Sequence, residues 1–457
     1  MRITKIVALS VVALLVASCA TTQKEEREQA IEKAVEKPAS WAVDIAENAE
    51  SPTRWLESFN DQMLLKLIEE GKANNIDLQV AAGNMDKAWL LAKQSGAALK
   101  PIADLSLGRI QSGSVDGGVS NSNVTVGLQV SWELDVWGRV RSGIHAAEAR
   151  AQAAEADYIF AQHSLSANIA KSYLKVIEAK LQADIRRKNL TILEKTMRIT
   201  QVKYDNGMSS AQDVALNRAN LASAQEQLVT IEGSQRDAIR ALEVLLGHYP
   251  NAALEIPNVL PDLPPSPPAG IPSEILERRP DIVSAERQIA SAFDATDQAR
   301  AARLPSFSLT STVSGASSSL SDVLAPTNVA WKLAANLLAP LFDGGRRKID
   351  VEIATVEQKQ AISNYAQKAL TAFSEVEKNL DQGRVLADRE TALLEVQTQS
   401  NEAYRIAQIR YKEGESDLLD TLQIQQQAIA AESNLLSIRR SQLEQRINLY
   451  LSLGGSW

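Results

Sequence analysis

The apolar positions change period abruptly about a third of the way along the chain. In "NVTVGLQVSWELDVWGRVR", Asn123 to Arg141, the residues Val124, Val126, Leu128, Val130, Trp132 and Leu134 alternate with Thr125, Gly127, Gln129, Ser131 and Glu133. A period of two predicts a strand with one apolar and one polar face, here over about 122–135. After Gly138 the chain turns Ala-, Glu- and Gln-rich, and Leu174, Ile177, Leu181 and Ile185 recur at helical spacing. With no Pro and one Gly (Gly143) in this stretch, a single helix is predicted over about 139–204, and a second over about 212–246. Ahead of the strand, helical patterning starts near Trp55, puts Leu64, Leu67 and Ile68 on one face, and ends at Pro101. "IADLSLGRIQSGS" alternates more weakly, with Arg109 in line with Leu105 and Leu107, and predicts a strand over about 102–114 of uncertain register.

The Pro-rich "PNVLPDLPPSPPAGIPSEILERRPDI" predicts a stiff extended connector over 255–280. Then the plan recurs. A helix from Asp281 stops before Pro305, and strands are predicted over about 306–315 and 328–342, the latter with Val329, Trp331, Leu333, Ala335 and Leu337 on one face. Helices follow over about 346–410 and 418–453. A displacement of 207 maps Gly138-Arg139 onto Gly345-Arg346, Tyr204 onto Tyr411, Gly207 onto Gly414, Asp213 onto Asp420 and Gly247 onto Gly454 without a gap. The chain is therefore read as two tandem repeats, 55–254 and 281–457, each helix, strand, strand, long helix, helix.

Composition narrows the function. A net charge of −8 argues against nucleic acid as a partner. Three His and one Cys give no metal set and imply no cofactor. His145, His163 and His248 lie far apart on helical segments and form no catalytic constellation, so no enzyme is expected. "DGGRR" lacks the glycine spacing and Lys of a phosphate-binding loop. The single Cys is informative by position. A basic start and a short apolar run precede Val16-Ala17-Ser18-Cys19, which resembles the lipobox of bacterial lipoproteins. Residues 1–18 are thus expected to be a signal peptide, Cys19 the lipidation site, and 19–54 a lipidated N-terminal linker.

A helix of about 65 residues is roughly 100 Å long, a length suited to rods and tubes. Strands of 10–12 residues can cross an outer membrane at a tilt near 45°, yet four strands are too few to close a barrel there. Three chains would supply twelve. The polar face (Thr125, Gln129, Glu133, Lys332, Asn336) would then meet water and the apolar face lipid.

The motifs "SWELDVWGRVR", "LERRPDI", "ARAARLPSFSLTSTVSG", "LAPLFDGGRRK" and "RYKEGESDLLDTLQIQQ", with the N-terminal "RWLESFNDQMLLKLIEEGKANNIDLQVAAG", span nearly the whole mature chain. Together they resemble the TolC-type outer-membrane efflux factors, in their NodT-like lipoprotein branch. The resemblance implies a homotrimer with a 12-stranded outer-membrane β-barrel, a long periplasmic α-helical barrel and a small mixed α/β waist. It implies a passive exit duct served by a periplasmic adaptor and an inner-membrane pump, in the outer membrane of a Gram-negative bacterium. Trp132, Trp137, Gly138, Gly344 and Gly345 would form the strand-to-helix junctions, with the two Trp near the membrane interface; the lesser alternative makes the two Trp core aromatics of the waist. By the same resemblance the tips "KYDNGMSSAQD" and "RYKEGESDLLD" form a gate, with Tyr411, Asp417 and Asp420 facing Tyr204 and Asp205. Asp417 and Asp420, three apart, are expected on one helix face. The alternative is a periplasmic coiled-coil scaffold without a pore, against which the alternating strands in both repeats argue.

Overall fold

The structure is a computed structural model, and it describes residues 25–43, 55–113, 115–116, 121–267 and 272–455. The signal peptide and Cys19 lie outside the described residues. The helices are α1 (25–34), α2 (Gln62–Asn74), α3 (Ile76–Gly96), α4 (Arg139–Asp205), α5 (Ala211–Leu245), α6 (Pro272–Arg278), α7 (Pro280–Ala301), α8 (Arg346–Glu413) and α9 (Leu418–Ser452). The strands are β1 (Ile102–Ser112), β2 (Asn121–Leu134), β3 (Ser306–Ser317) and β4 (Val329–Leu338). Arg139 and Arg346 both open a long helix, Ala211 and Leu418 both open the helix that follows, and Leu245 and Ser452 both end it. The 207-residue displacement is therefore a property of the fold as well as of the sequence.

Two compact units share the long helices. One comprises described residues up to Glu36, Gly83–Asp157 and Asp281–Lys368, and holds the sheet. Its strands form an antiparallel meander in the order β1-β2-β3-β4. The central pairing, β2 with β3, joins the two repeats and runs from Val124↔Ser317 to Leu134↔Phe307. β4 stops at Leu338, short of the expected 342. Pro340, two residues on, has no N–H to extend the ladder.

The other unit comprises Lys37–Ala82, Tyr158–Pro280 and Ala369–Trp457. Its core gathers Trp55 and Phe59, one face of α2 (Leu64, Leu67, Ile68), the middle of α4 (Ile169, Tyr173, Leu174, Ile177) and the ends of α5 and α9. Trp55 stacks on Tyr450 at 4.7 Å between ring centroids. Asp61 starts α2 by accepting the N–H groups of Met63 and Leu64, and its other oxygen accepts the Tyr173 hydroxyl at 2.7 Å.

The connector is tethered by side chains, because a Pro-rich segment has few N–H groups to offer a ladder. Glu243, 2% exposed, accepts the N–H groups of Ala252, Ala253 and Leu254 at 2.8–3.1 Å. The Lys180 ammonium donates to the Ile256 carbonyl, and Arg446 donates to that of Pro264 at 2.6 Å. Two expectations are corrected here. Residues 255–280 are not wholly extended, since 272–278 form α6. A mixed α/β waist is the other: among the described residues of this unit there is no strand. Arg279, the break between α6 and α7, is buried and donates to Glu375 at 2.7 Å and to the Ser452 carbonyl. That contact gives "LERRPDI" its structural role.

Candidate functional site

Directly opposed residues of an antiparallel pair project to the same side. The register therefore sorts the sheet into two faces. One carries Leu105 and Leu107, then Val126, Leu128 and Val130, then Leu309 and Val313, then Trp331, Leu333 and Leu337. Leu105 is 77% exposed and Trp331 79%, so this is a broad apolar surface in the isolated chain. The other face carries Asp104, Gln129, Thr312 and Lys332 in one row and Ser106, Gly127 and Ser314 in another. Arg109 does share the apolar face, opposite Val124 near the hairpin end, where its Nε donates to Ser122 Oγ at 3.2 Å. A long charged side chain near a strand end can keep its head at the water boundary.

The junction between β2 and α4 is a set of hydrogen bonds that the sequence signals only in part. Trp132 Nε1 donates to the Leu99 carbonyl at 2.9 Å, and Trp137 Nε1 to that of Pro305 at 2.7 Å. Asp135 starts α4 by accepting the N–H groups of Val140 and Arg141 and the Arg141 side chain. Partial burial works against its charge, but these donors outweigh it and hold the carboxyl below its ordinary pKa. Glu133 takes a forked pair of bonds from Arg139. Gly138, Gly344 and Gly345 all have positive φ, 65–88°, which a side chain would strain. Asp343 does for Gly345 and Arg347 what Asp135 does for Val140 and Arg141.

At the α4–α5 turn, Gly207 N–H bonds back to Tyr204 and Met208 N–H to Lys203. At the α8–α9 turn Gly414 and Glu415 do the same with Tyr411 and Arg410, so both helices end in the same left-handed glycine motif. The next helices are capped at equivalent positions by different residues. Ser210 forms a capping box with Asp213, and Asp417 accepts the Asp420 N–H at 2.8 Å. This corrects the expectation for the acidic pair: Asp417 is a helix cap folded onto the backbone, and only Asp420 stands on the helix. Tyr411 is buried in a small cluster with Leu193, Leu418 and Leu422. The Thr200 hydroxyl donates to the Thr196 carbonyl, so the Tyr411 hydroxyl must donate to Thr200, at 3.0 Å. Asn217 donates to the same oxygen. Lys203 reaches the Tyr411 carbonyl at 2.6 Å and sits 4.0 Å from its ring centroid. Asp205 is held only by Gln201, and Tyr204 is exposed. Thr200, Lys203 and Asn217 were not singled out by sequence, although their spacing of 3 and 14 residues on a hairpin is compatible with one shared face.

His163 is mostly buried beside Lys72, which lowers its pKa to about 4, burial being the larger cause. His248 meets Glu70 at 2.9 Å. Among the described residues no group of His, Cys, Asp and Glu could hold a metal ion, and no helix is long and apolar enough to cross a membrane.

A four-stranded sheet with an exposed apolar face, drawn from two repeats of long helices, defines a class of outer-membrane channel proteins. The chain belongs to the outer membrane efflux protein family, whose sequence profile matches residues 67–248 and 271–455. It is 29% identical over 460 residues to OpmQ, the pyoverdine export outer membrane protein of Pseudomonas aeruginosa, covering 97% of this chain and 95% of that one. It is 30% identical over 434 residues to TtgC, the toluene efflux pump outer membrane protein of Pseudomonas putida, covering 92% and 88%. A solved structure of the transmembrane channel CusC superposes with a TM-score of 0.83 at 26% identity, covering 92% of this chain and 96% of that one. The chain is thus an outer-membrane efflux channel reaching into the periplasm, and not an enzyme.

Proposed function

We propose that three copies of the chain close a 12-stranded barrel in the outer membrane, each giving four strands, with the long helices continuing the duct through the periplasm. The observation that carries this reading is the sheet. All four strands contribute to one apolar face, and four strands cannot close alone. Backbone groups at an open edge are untenable in lipid, so the edges of β1 and β4 need partners, and further copies supply them. The duct is passive. Its energy comes from an inner-membrane pump joined through a periplasmic adaptor, and Cys19 adds a lipid anchor. The relatives named above are named for pyoverdine export and for toluene efflux, two different cargoes, so the cargo follows the pump rather than the wall. The periplasmic scaffold reading gives the exposed apolar sheet no role.

The tip is the proposed gate. Tyr411 joins α8 to α4 and α5 through Thr200 and Asn217, and Asp420 repeated three times would ring the opening, with Tyr204, Asp205 and Asp417 beside it. An acidic ring favours cations and binds multivalent ones tightly enough to block. Native mass spectrometry of the detergent-extracted protein and single-channel recording in planar bilayers test the reading together. A trimer with small cation-selective conductance, blocked by a trivalent cation from the tip side, is expected. A monomer without conductance refutes it. Mass spectrometry of the mature N-terminus tests the anchor, and an unmodified Cys19 removes it.

A further inference from the structure

The two tip turns descend from one duplicated segment, and their two tyrosines end in different places. Tyr411 is buried, with the Lys203 ammonium over its ring and on its carbonyl. Tyr204, its equivalent one repeat earlier, is 43% exposed. Arg410, the equivalent of Lys203, reaches only Glu415 of its own turn, at 3.4 Å to the carbonyl and 3.9 Å to the carboxylate, and its side chain is 57% exposed. Beside Arg410 opens a cavity of about 390 Å³ lined in part by Ile406, Ala407, Gln423 and Ile424. These stand, one repeat later, at the positions of Ile199, Thr200, Leu216 and Asn217, which pack against or bond to Tyr411 and its cluster. The chain thus has one tyrosine socket that is filled and one that is open. Tyr204 lines no part of the open one.

We propose that the open socket receives Tyr204 of a second copy of the chain, its ring under the Arg410 guanidinium as Tyr411 lies under Lys203. The inference rests on the trimeric reading above. In a closed ring, hairpins α4–α5 and α8–α9 alternate. The filled socket is the joint within a chain, and the open socket is the matching joint between chains. The two joints differ in chemistry. Ala407 and Ile424 replace Thr200 and Asn217, so the incoming hydroxyl meets no counterpart of that polar pair. The joint between copies is carried by ring packing and by the cation, with Gln423 bringing an amide where the first repeat has Leu216, and with Ser416 and Asp420 at the same cavity as its remaining polar lining. It is accordingly the weaker of the two and the first to part when the tip opens.

The test is disulfide trapping in the full-length chain in outer membranes. Tyr204→Cys with Ala407→Cys, oxidised and run without reductant, should give dimer and trimer bands that neither single variant gives, the singles controlling for Cys19. Tyr204→Cys with Gln423→Cys repeats the test on a second wall of the socket. If native mass spectrometry finds a trimer and neither pair cross-links between copies, the joint is wrong while the trimer stands. A band joining the chain to an adaptor instead also overturns it. A chain that is not trimeric sinks the trimeric reading and this proposal with it. In planar bilayers Arg410→Met should shift the balance toward the open tip by about two- to five-fold per joint, and Arg410→Lys should restore the wild-type conductance. Equal conductance from the Met and Lys variants would remove the cation from the joint.

Discussion

Leu128→Arg and Gln129→Arg are neighbouring changes with opposite expected outcomes. Leu128 stands near the middle of the 14-residue β2, opposite Leu105 on one side and Val313 on the other. An arginine there faces lipid at mid-membrane, which costs about 2–4 kcal/mol in each chain. Gln129 stands on the other face, opposite Asp104 and Thr312. An arginine there gains an opposite charge directly across the strand pair, worth roughly 0.2–1 kcal/mol. The two variants should therefore differ by at least about 2 kcal/mol per chain, or roughly thirty-fold in the folded-to-unfolded ratio. Urea titration of the protein refolded into vesicles, followed by the heat-dependent shift on gels, measures this directly. Leu128→Arg should lose its folded band at lower urea, and Gln129→Arg should keep it while moving ion preference toward anions. Equal losses, or the greater loss from Gln129→Arg, would invert the assignment of faces.

Four further outcomes follow from the geometry. Tyr411→Phe removes the bond to Thr200, worth about 1 kcal/mol, and should raise single-channel conductance, and an unchanged conductance would place the closure elsewhere. Asp417→Ala should lower tip stability by about 0.5–2 kcal/mol as a lost cap, read by hydrogen exchange, whereas Asp420→Ala should relieve trivalent-cation block with little such change. Glu243→Ala leaves the N–H groups of Ala252 and Leu254 without their acceptor and Ala253 with Asn251 alone, at about 1–3 kcal/mol for each orphaned N–H that stays dry, and limited proteolysis should then cut the connector faster. His163 has its folded pKa, about 4, below the unfolded value. The unfolded chain therefore binds the extra proton between the two, and stability should fall as pH drops from about 6.5 towards 4. Thermal melts of His163→Gln should lack that part of the acid dependence.

The elements were legible because each rests on a one-dimensional signal. The alternation of Val124 to Leu134 marks β2, and the absence of Pro after Gly138 marks α4. Pairing register was not legible for β1, whose Arg109 breaks the alternation; it becomes definite only when Leu105 and Leu107 meet Leu128 and Val126. The polar groups around the junction and tip were hidden for another reason. Glu133 and Arg139 are six apart, Lys203 and Tyr411 more than two hundred, and neither pair shares an element. Asp417 misled because spacing alone does not separate a residue on a helix from the one capping it. The Ser210 to Asp213 capping pattern, at the equivalent place in the first repeat, carried the needed signal.

The helices of the second unit are joined along much of their length by polar as well as apolar contacts. Between α4 and α9, Glu178 accepts from Ser437, Gln182 bonds Ser433 and Ser437, and Gln425 donates to Asn189 at 2.8 Å. Lys171 reaches Asn448 and, near the other end, Thr200 meets Tyr411 of α8. Such a seam specifies register strongly, because a slipped helix leaves buried amides unpaired, yet each bond contributes only about 0.5–1.5 kcal/mol net, since water replaces it on opening. The large apolar cluster around Trp55 and Tyr450 fixes the hairpins where α2 packs on them, and the cluster at the tip holds only a handful of buried side chains. Resistance to movement is therefore concentrated at the core and falls toward the turns. A tip built this way can part by exchanging a few hydrogen bonds for water while the rest of the bundle keeps its register.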